Sequence, residues 1–398
     1  MEKIKKKILF ISPYFYPENI PFNKIIENLS YKEFEVTVLT SLPNYKIFKF
    51  FKGYSFLGPY NENIYKHKVI RVPVIPRLSN SAFSILIFYT TYFISSFVFI
   101  CIWGLFNRNK YDHVTSYCGS PVFVGYLGIL FSKVANCKNS IWIQDIWPEA
   151  ILTSLKFTKS NYIFRIINYL QDKMWLKSQI ILTESNLLTN YLNNNYNLSN
   201  VITLHNPIKE EIFNGYMPIV YNEQNKIVIT YTGNVGKTQN LDRVLKLIDN
   251  NDDFIFNICG KGNDFNRLKL KYKNNKSIIF HGWLDINELI KIFKNTNFFF
   301  LTLNQFERQR FVIPSKFQTY LNYEKPIIFL GTQELCDYIN KNNIGIGIDI
   351  NTSDVEFTKM IKNLFNDKNY TLQINTIKEF KKFFYPNFLA KKYIDAIF

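Results

Sequence analysis

The chain has 398 residues, 47% of them hydrophobic and 20% charged. That composition excludes a disordered protein, and the length exceeds what one hydrophobic core serves, so two domains are expected. With 48 Lys and Arg against 31 Asp and Glu the formal net charge is +17, which favours an anionic partner. The lysines are scattered and no zinc-finger, RNA-recognition or basic-zipper signature appears, so phospholipid or a phosphate-bearing substrate is preferred to nucleic acid. Five cysteines lie far apart with no C-x-x-C pair, and the four histidines lack metal-ligand spacing. A reducing compartment, no structural disulfide and no zinc site follow. The 38 Phe and 26 Tyr decide nothing, because AT-rich coding produces the same excess.

Residues 1–7 are charged and run straight into an apolar segment, so no signal peptide is expected. Residues 8–12 (ILFIS) read as a buried first strand, followed by a helix near 23–31. Further strands are predicted at 36–40, 69–72, 113–116, 141–143 and 180–183. The stretch 206–226 is rich in Asn, Pro, Glu and Gly and reads as a linker. Beyond it the same grammar restarts. Strands are predicted at 227–232 (IVITYT), 254–259, 278–281, 298–303 and 327–330, with helices at 241–249, 286–295 and 315–323. Strands alternating with helices predict an α/β protein with two Rossmann-like, doubly wound parallel sheets facing across a cleft. The domains are placed at 1–205 and 227–384. Helices at 376–383 and 386–398 close the chain, and the last segment, 385–398, is expected to return to the first domain.

Residues 83–106 carry no charge, and as a helix would run about 36 Å, enough to cross a bilayer. Strands of one sheet are predicted on both sides of this stretch, and a single crossing would separate them. Ser84, Thr91 and Ser95 give it a slightly polar face, and Arg77, Arg108 and Lys110 flank both ends. The preferred reading is one or two helices lying in the membrane interface, with the basic flanks on lipid phosphates. A helix buried in the core is the alternative.

Several segments carry chemistry. Residues 233–236 (GNVG) follow a strand and precede a helix, where glycines let backbone N–H groups approach an anion. An ordinary βα turn also favours glycine. Lys237 and Lys316 are the nearby cations, and Lys316 opens a helix, a poor place for a cation unless it faces something negative. Asp145 follows a strand at the carboxyl end, where doubly wound sheets place ligands. It and Glu149 are candidates for proton transfer with a substrate, with helix capping as the alternative for Asp145. Tyr14, Glu18 and Asn19 follow the first strand and are expected to line the same cleft. No D-x-D triplet occurs, so lysine and helix dipoles rather than a metal are expected to meet an anionic ligand.

With these pieces in order, the chain resembles family 4 of the retaining glycosyltransferases, which have the GT-B fold. More narrowly it is similar to bacterial O-antigen and capsule enzymes related to the L-fucosamine transferases. The matching segments are 14–18 (YFYPE), 42–45 (LPNY), 142–150 (WIQDIWPEA), 206–213 (NPIKEEIF), 231–241 (YTGNVGKTQNL), 259–264 (CGKGND), 280–283 (FHGW) and 313–328 (IPSKFQTYLNYEKPII). The resemblance implies catalytic roles for Asp145, Glu149 and Lys316. It implies donor contacts from Gly233, Asn234, Gly236, Lys237, Gln239, Gly260, Trp283, Arg310, Ser315, Lys316 and Thr319, and acceptor contacts from Tyr14, Glu18, Asn19 and Asn44. The family's paired glutamates are missing: Phe311 and Thr319 occupy their positions, Glu307 is out of register, and Glu324 stands where relatives have Gly. Thr319 retains a hydroxyl for the ribose, and Glu307, Arg308 and Arg310 are possible substitutes at the sugar. Gln144 stands where many members have His.

The implied activity is metal-independent, retaining transfer of a sugar, expected to be an N-acetylated hexosamine, from a UDP-sugar. The implied acceptor is a polyprenyl-diphosphate-linked saccharide at the cytoplasmic face of the plasma membrane, with no cofactor and no nucleic-acid partner. Two alternatives stand: a UDP-N-acetylglucosamine 2-epimerase-like enzyme, and a non-catalytic membrane-bound partner of a polysaccharide assembly complex.

Overall fold

Alternating apolar runs and helical stretches build two parallel sheets in the computed structural model, which describes residues 5–79, 81–148, 162–208, 226–249, 251–302, 310–365 and 367–398. The chain divides into two units, Met1–Pro207 with Pro386–Phe398, and Ile208–Tyr385.

In the first unit the strands are β1 (Lys6–Ile11), β2 (Phe34–Ser41), β3 (Asn61–Ile64), β4 (His67–Val72), β5 (His113–Cys118), β6 (Lys138–Ile143), β7 (Ile180–Thr183) and β8 (Val201–Thr203). Their order is β3-β4-β2-β1-β5-β6-β7-β8. Ile8 of β1 sits opposite Val36 on one side and His113 on the other. Ile8, Leu9, Phe10 and Ile11 are all buried, as expected where helices cover both faces of a parallel sheet. The chain winds outward from β1 through β2 to β4, then returns past β1 to β5. The β1/β5 boundary is therefore the topological switch point, the place where open sheets of this kind bind ligands.

The return is made by the helix Ala82–Phe106, capped by the Ser81 hydroxyl, which accepts from the Ser84 N–H at 3.2 Å. Phe88, Tyr92, Ser96, Ile100 and Gly104, spaced by four, face inward. Gly104 lets the neighbouring helix Val124–Ala135 approach: a Cβ there would lie 3.0 Å from Val134 Cγ1. The outer side exposes Phe83, Leu86, Ile94, Phe97, Val98, Ile102, Leu105 and Phe106. The core-helix alternative thus describes only one side of this helix.

The helix Pro386–Ile397 packs on β1 and β5. The Tyr393 ring lies 5.1 Å from that of Phe10, and its hydroxyl shares a 2.6 Å hydrogen bond with Thr115 Oγ1.

The second unit holds β9 (Ile227–Thr232), β10 (Phe254–Cys259), β11 (Ile278–Gly282), β12 (Phe298–Thr302), β13 (Ile327–Gly331) and β14 (Gly345–Asp349). They run parallel in the order β11-β10-β9-β12-β13-β14. The switch point lies between β9 and β12. Ile229, Tyr231, Phe256, Phe298, Phe300 and Ile328 form its core with Val244 and Leu245 of the helix Leu241–Asp249.

Three strands escape sequence reading. β3 (NENI) is a short polar antiparallel edge, β8 has three residues, and β14 (GIGID) is broken by glycines. The helix expected over 23–31 spans Phe22–Glu27, and Asn28, whose Nδ2 donates to Lys24 O at 2.8 Å, closes it. The segment 376–383 is divided between the helix Asp367–Phe380 and a 3-10 turn, Lys381–Phe384.

Arg71, on β4, fastens the loops at the carboxyl end of the first sheet. Its guanidinium pairs with Glu62 and donates to Ser41 O (3.0 Å) and Tyr16 O (2.6 Å). The side chain is fully buried. Removing one partner of such a pair leaves the other charge uncompensated, so Arg71→Met is expected to cost about 3–5 kcal/mol. Urea unfolding followed by tryptophan fluorescence measures the loss.

Candidate functional site

Three adjacent strands of the second unit end in glycines with left-handed backbone: Gly233 (φ 115°) after β9, Gly260 (φ 153°) after β10 and Gly282 (φ 77°) closing β11. Gly233 N–H donates to Cys259 O (2.8 Å), and Gly260 N–H to Gly282 O (2.6 Å). A Cβ on Gly260 would fall 1.8 Å from Gly233 O, so these turns touch backbone to backbone.

Against this row lies Lys316, the first residue of the helix Lys316–Asn322. A Cβ on Gly233 would come within 2.6 Å of Lys316 Cε. The ammonium sits over the Tyr231 ring, 4.0 Å from its centroid, and donates to the Tyr231 hydroxyl at 2.5 Å. That hydroxyl in turn donates to Asn234 O at 2.5 Å. Burial pushes the Lys316 pKa from 10.5 down to about 7, with no carboxylate among the described residues contributing. The helix is held by Tyr320, whose hydroxyl accepts from Thr232 N–H at 3.0 Å and whose ring stacks 4.4 Å from Phe299. Tyr231 and Tyr320 were not singled out from the sequence, although Tyr231 opens the YTGNVG segment.

Of the four backbone amides at 233–236 expected to cradle an anion, three are engaged within the fold. Gly233, Val235 and Gly236 N–H groups already donate to Cys259 O (2.8 Å), Lys261 O (3.0 Å) and Gln239 Oε1 (3.0 Å). The following helix, Leu241–Asp249, carries Asp242 in its first turn, bound by Lys271 at 2.8 Å, so its dipole is already complemented. Gly233 supplies clearance, and the ammonium supplies the charge.

The other expected donor residues distribute unevenly. Asn234 Nδ2 and Gly236 N–H both bind Gln239 Oε1, which shapes the turn. Lys237 is exposed, and Trp283 follows Gly282 with its indole largely in solvent. Ser315 is exposed at the helix start without a capping bond, and Thr319, one turn along, is half-buried. Arg310 pairs with Glu334 at 3.1 Å and lies over Phe311, so its charge is engaged within the fold. Glu149, Glu307 and Arg308 lie outside the described residues.

In the first unit, Asp145 follows β6 and accepts from Ser120 Oγ at 3.3 Å. Burial raises its pKa and that hydrogen bond partly opposes the shift, a direction that favours taking up a proton. Tyr14 is buried beside it in chain topology, at the end of β1, stacked 5.4 Å from Phe88 and in reach of Tyr89 and Arg77 hydroxyl and guanidinium groups at 3.4 and 3.5 Å. Asn19 is exposed.

Two expected acceptor residues act as braces. Glu18 is buried and accepts from Phe15 N–H (3.1 Å), Asn44 N–H (2.8 Å) and Tyr45 N–H (2.7 Å), while burial raises its pKa to about 7. Asn44 donates to Leu42 O (2.8 Å) and accepts from Arg77 N–H (3.0 Å). Their polar atoms serve the loops after β1 and β2 instead of a ligand. Arg77, expected on the lipid-facing flank of the long helix, is buried with its guanidinium 5.5 Å from the Tyr45 ring.

Residues 217–382 match the family model described as Glycosyl transferases group 1. This segment includes the glycine row and Lys316. No curated protein matches the chain. Among solved structures, sucrose-phosphate synthase from Thermosynechococcus elongatus is similar at 11% identity, covering 98% of each chain with a TM-score of 0.68. The lipopolysaccharide outer core galactosyltransferase WaaB is 15% identical over 98% of this chain and 99% of its own, TM-score 0.64. Anabaena HepE, solved with UDP and glucose, is 10% identical over 98% and 99%, TM-score 0.62. At such identities the likeness is one of fold, and that fold is GT-B, with two Rossmann-like domains.

Lys316 gives a stability test with a definite sign. Its folded-state pKa of about 7 lies below the ordinary 10.5, so between these values the unfolded chain binds more protons and stability rises with pH. Below about pH 7 the cost of burying the ammonium is fully present. Lys316→Met is therefore expected to be more stable than wild type near pH 6, by at least about 1 kcal/mol. The difference should close as pH approaches about 10. Urea midpoints across pH provide the measurement.

Proposed function

We propose that this chain, whose second unit carries a glycosyl transferase group 1 domain, is a retaining, metal-independent glycosyltransferase. It moves a sugar, an N-acetylated hexosamine in our reading, from a UDP-sugar to a polyprenyl-diphosphate-linked saccharide in surface-polysaccharide synthesis. The observation that carries the proposal is the Lys316 ammonium held over Tyr231 against Gly233, with no carboxylate partner among the described residues. A half-desolvated cation at a sheet switch point suits a diphosphate whose charge grows as the glycosidic bond breaks.

In this reading the second unit holds the nucleotide and the first holds the acceptor. The acceptor hydroxyl oxygen bonds to the anomeric carbon as the bond from that carbon to the β-phosphate oxygen breaks. The hydroxyl proton passes to the departing phosphate on the same face, and Asp145 is the first-unit residue proposed to orient that hydroxyl. Thr319 offers its hydroxyl to the ribose. The protein rests on the inner face of the plasma membrane through the helix Ala82–Phe106, whose outer side is apolar and is followed by exposed Arg108 and Lys110.

The test is a panel of UDP-sugars incubated in detergent with a lipid-linked acceptor, reading UDP release. Release with at least one donor, dependent on acceptor, is expected, and Lys316→Met should lower kcat by about 100-fold or more. Donor turnover without acceptor would replace transfer by epimerase-like chemistry. Nucleotide binding with no release across the panel, unaffected by Lys316→Met, would support the non-catalytic alternative that Phe311 invites.

A further inference from the structure

We infer that the segment between β2 and β3 is a second lipid contact, which inserts Phe56 and Leu57 into a bilayer and reads anionic headgroups with Lys46, Lys49 and Lys52. This inference rests on the proposed membrane seating of the first unit and adds to it a distinct element with a distinct chemistry.

The segment 45–61 (YKIFKFFKGYSFLGPYN) contains three lysines and no carboxylate. Its inner aromatics, Tyr45, Phe50, Tyr54 and Tyr60, pack against the same core that receives Phe88 and Tyr92 of the long helix. Its outer residues do the reverse. Leu57 is 93% exposed and Phe56 59% exposed, and Lys46, Lys49 and Lys52 are exposed with them.

An apolar tip in water is ordinarily unremarked on a floppy loop, but this one is built. Ser55 and Gly58 exchange backbone hydrogen bonds of 2.9 and 3.0 Å, and the Tyr60 hydroxyl donates to Phe56 O at 2.5 Å. Phe51 N–H donates to Pro43 O (3.1 Å), and the Tyr54 hydroxyl donates to Glu62 (2.9 Å) beneath the Arg71 guanidinium. Glu18 holds the entry through Asn44 and Tyr45 N–H groups. A fixed turn that presents two large apolar side chains beside unopposed lysines matches a headgroup layer with hydrocarbon below it.

A second exposed apolar pair lies between β4 and the long helix. Exposed Ile75 and Leu78 are tied to its first turns, Ile75 N–H donating to Thr91 Oγ1 (3.2 Å) and Leu78 N–H to Ser84 Oγ (2.8 Å). From there the exposed apolar run passes into Phe83 and Leu86. A protein partner would need its own acidic, apolar complement; a bilayer containing anionic lipid supplies both at once.

The experiment compares wild type, Lys46→Gln/Lys49→Gln/Lys52→Gln and Phe56→Ser/Leu57→Ser by co-sedimentation with vesicles. One set is phosphatidylcholine alone, the other contains phosphatidylglycerol, each at low and high salt. Circular dichroism and urea midpoints confirm that the variants fold. Wild type is expected to bind anionic vesicles at least about tenfold more tightly than neutral ones, with the preference lost at high salt. The lysine variant should lose that preference while keeping wild-type binding to neutral vesicles, and the Phe56/Leu57 variant should bind both more weakly. Wild-type behaviour of both variants, with neutral binding intact, overturns the loop inference alone. Loop-dependent binding to anionic vesicles that persists with no neutral binding refutes the helix reading and upholds the loop.

Discussion

A lysine held partly out of water, with an aromatic face and one hydroxyl as its company, is the constraint around which the second unit is arranged. Lys316 is costly to bury because desolvation opposes its charge, and no carboxylate among the described residues offsets that cost. The surrounding structure exists to hold it there: Gly233 leaves room for its methylenes, Tyr231 lies beneath its ammonium, and Tyr320 anchors the helix from which it projects. Such an arrangement is uneconomical for stability and well suited to an anion that arrives later.

The first unit solves a different problem. Its loops at the carboxyl end of the sheet must be held so that Asp145 and Tyr14 keep their positions. It uses buried charges for this, Glu18 collecting three backbone N–H groups and Arg71 collecting two carbonyls and Glu62. Buried ions with several backbone partners specify loop geometry in a way that apolar packing does not.

These differences explain what was legible in the sequence. Strands such as 180–183, 227–232 and 254–259 are read to the residue, because a strand covered on both faces is a continuous apolar run. Edge strands β3 and β14 were not, since their content is polar or glycine-rich and only tertiary pairing reveals them. Lys316 and Gly233 were singled out by position and resemblance, but not as neighbours of one another. Glycine beside a strand end signals close approach without saying of what, and here the approaching group is a side chain of the same chain. Glu18, Asn44 and Arg77 show the converse limit: a polar residue in a strand-end loop looks the same whether it meets a ligand or a neighbouring amide.

The helix Pro386–Ile397 lays Leu389 and Tyr393 into the core that also receives Phe10 and Phe22. The two parts of the first unit are thus separated in the chain by the whole of the second. The flank of β1 that this helix covers is closed by residues that follow the whole of the second unit in the chain. A cut before residue 386 would therefore uncover the flank of the first sheet that Leu389 and Tyr393 close.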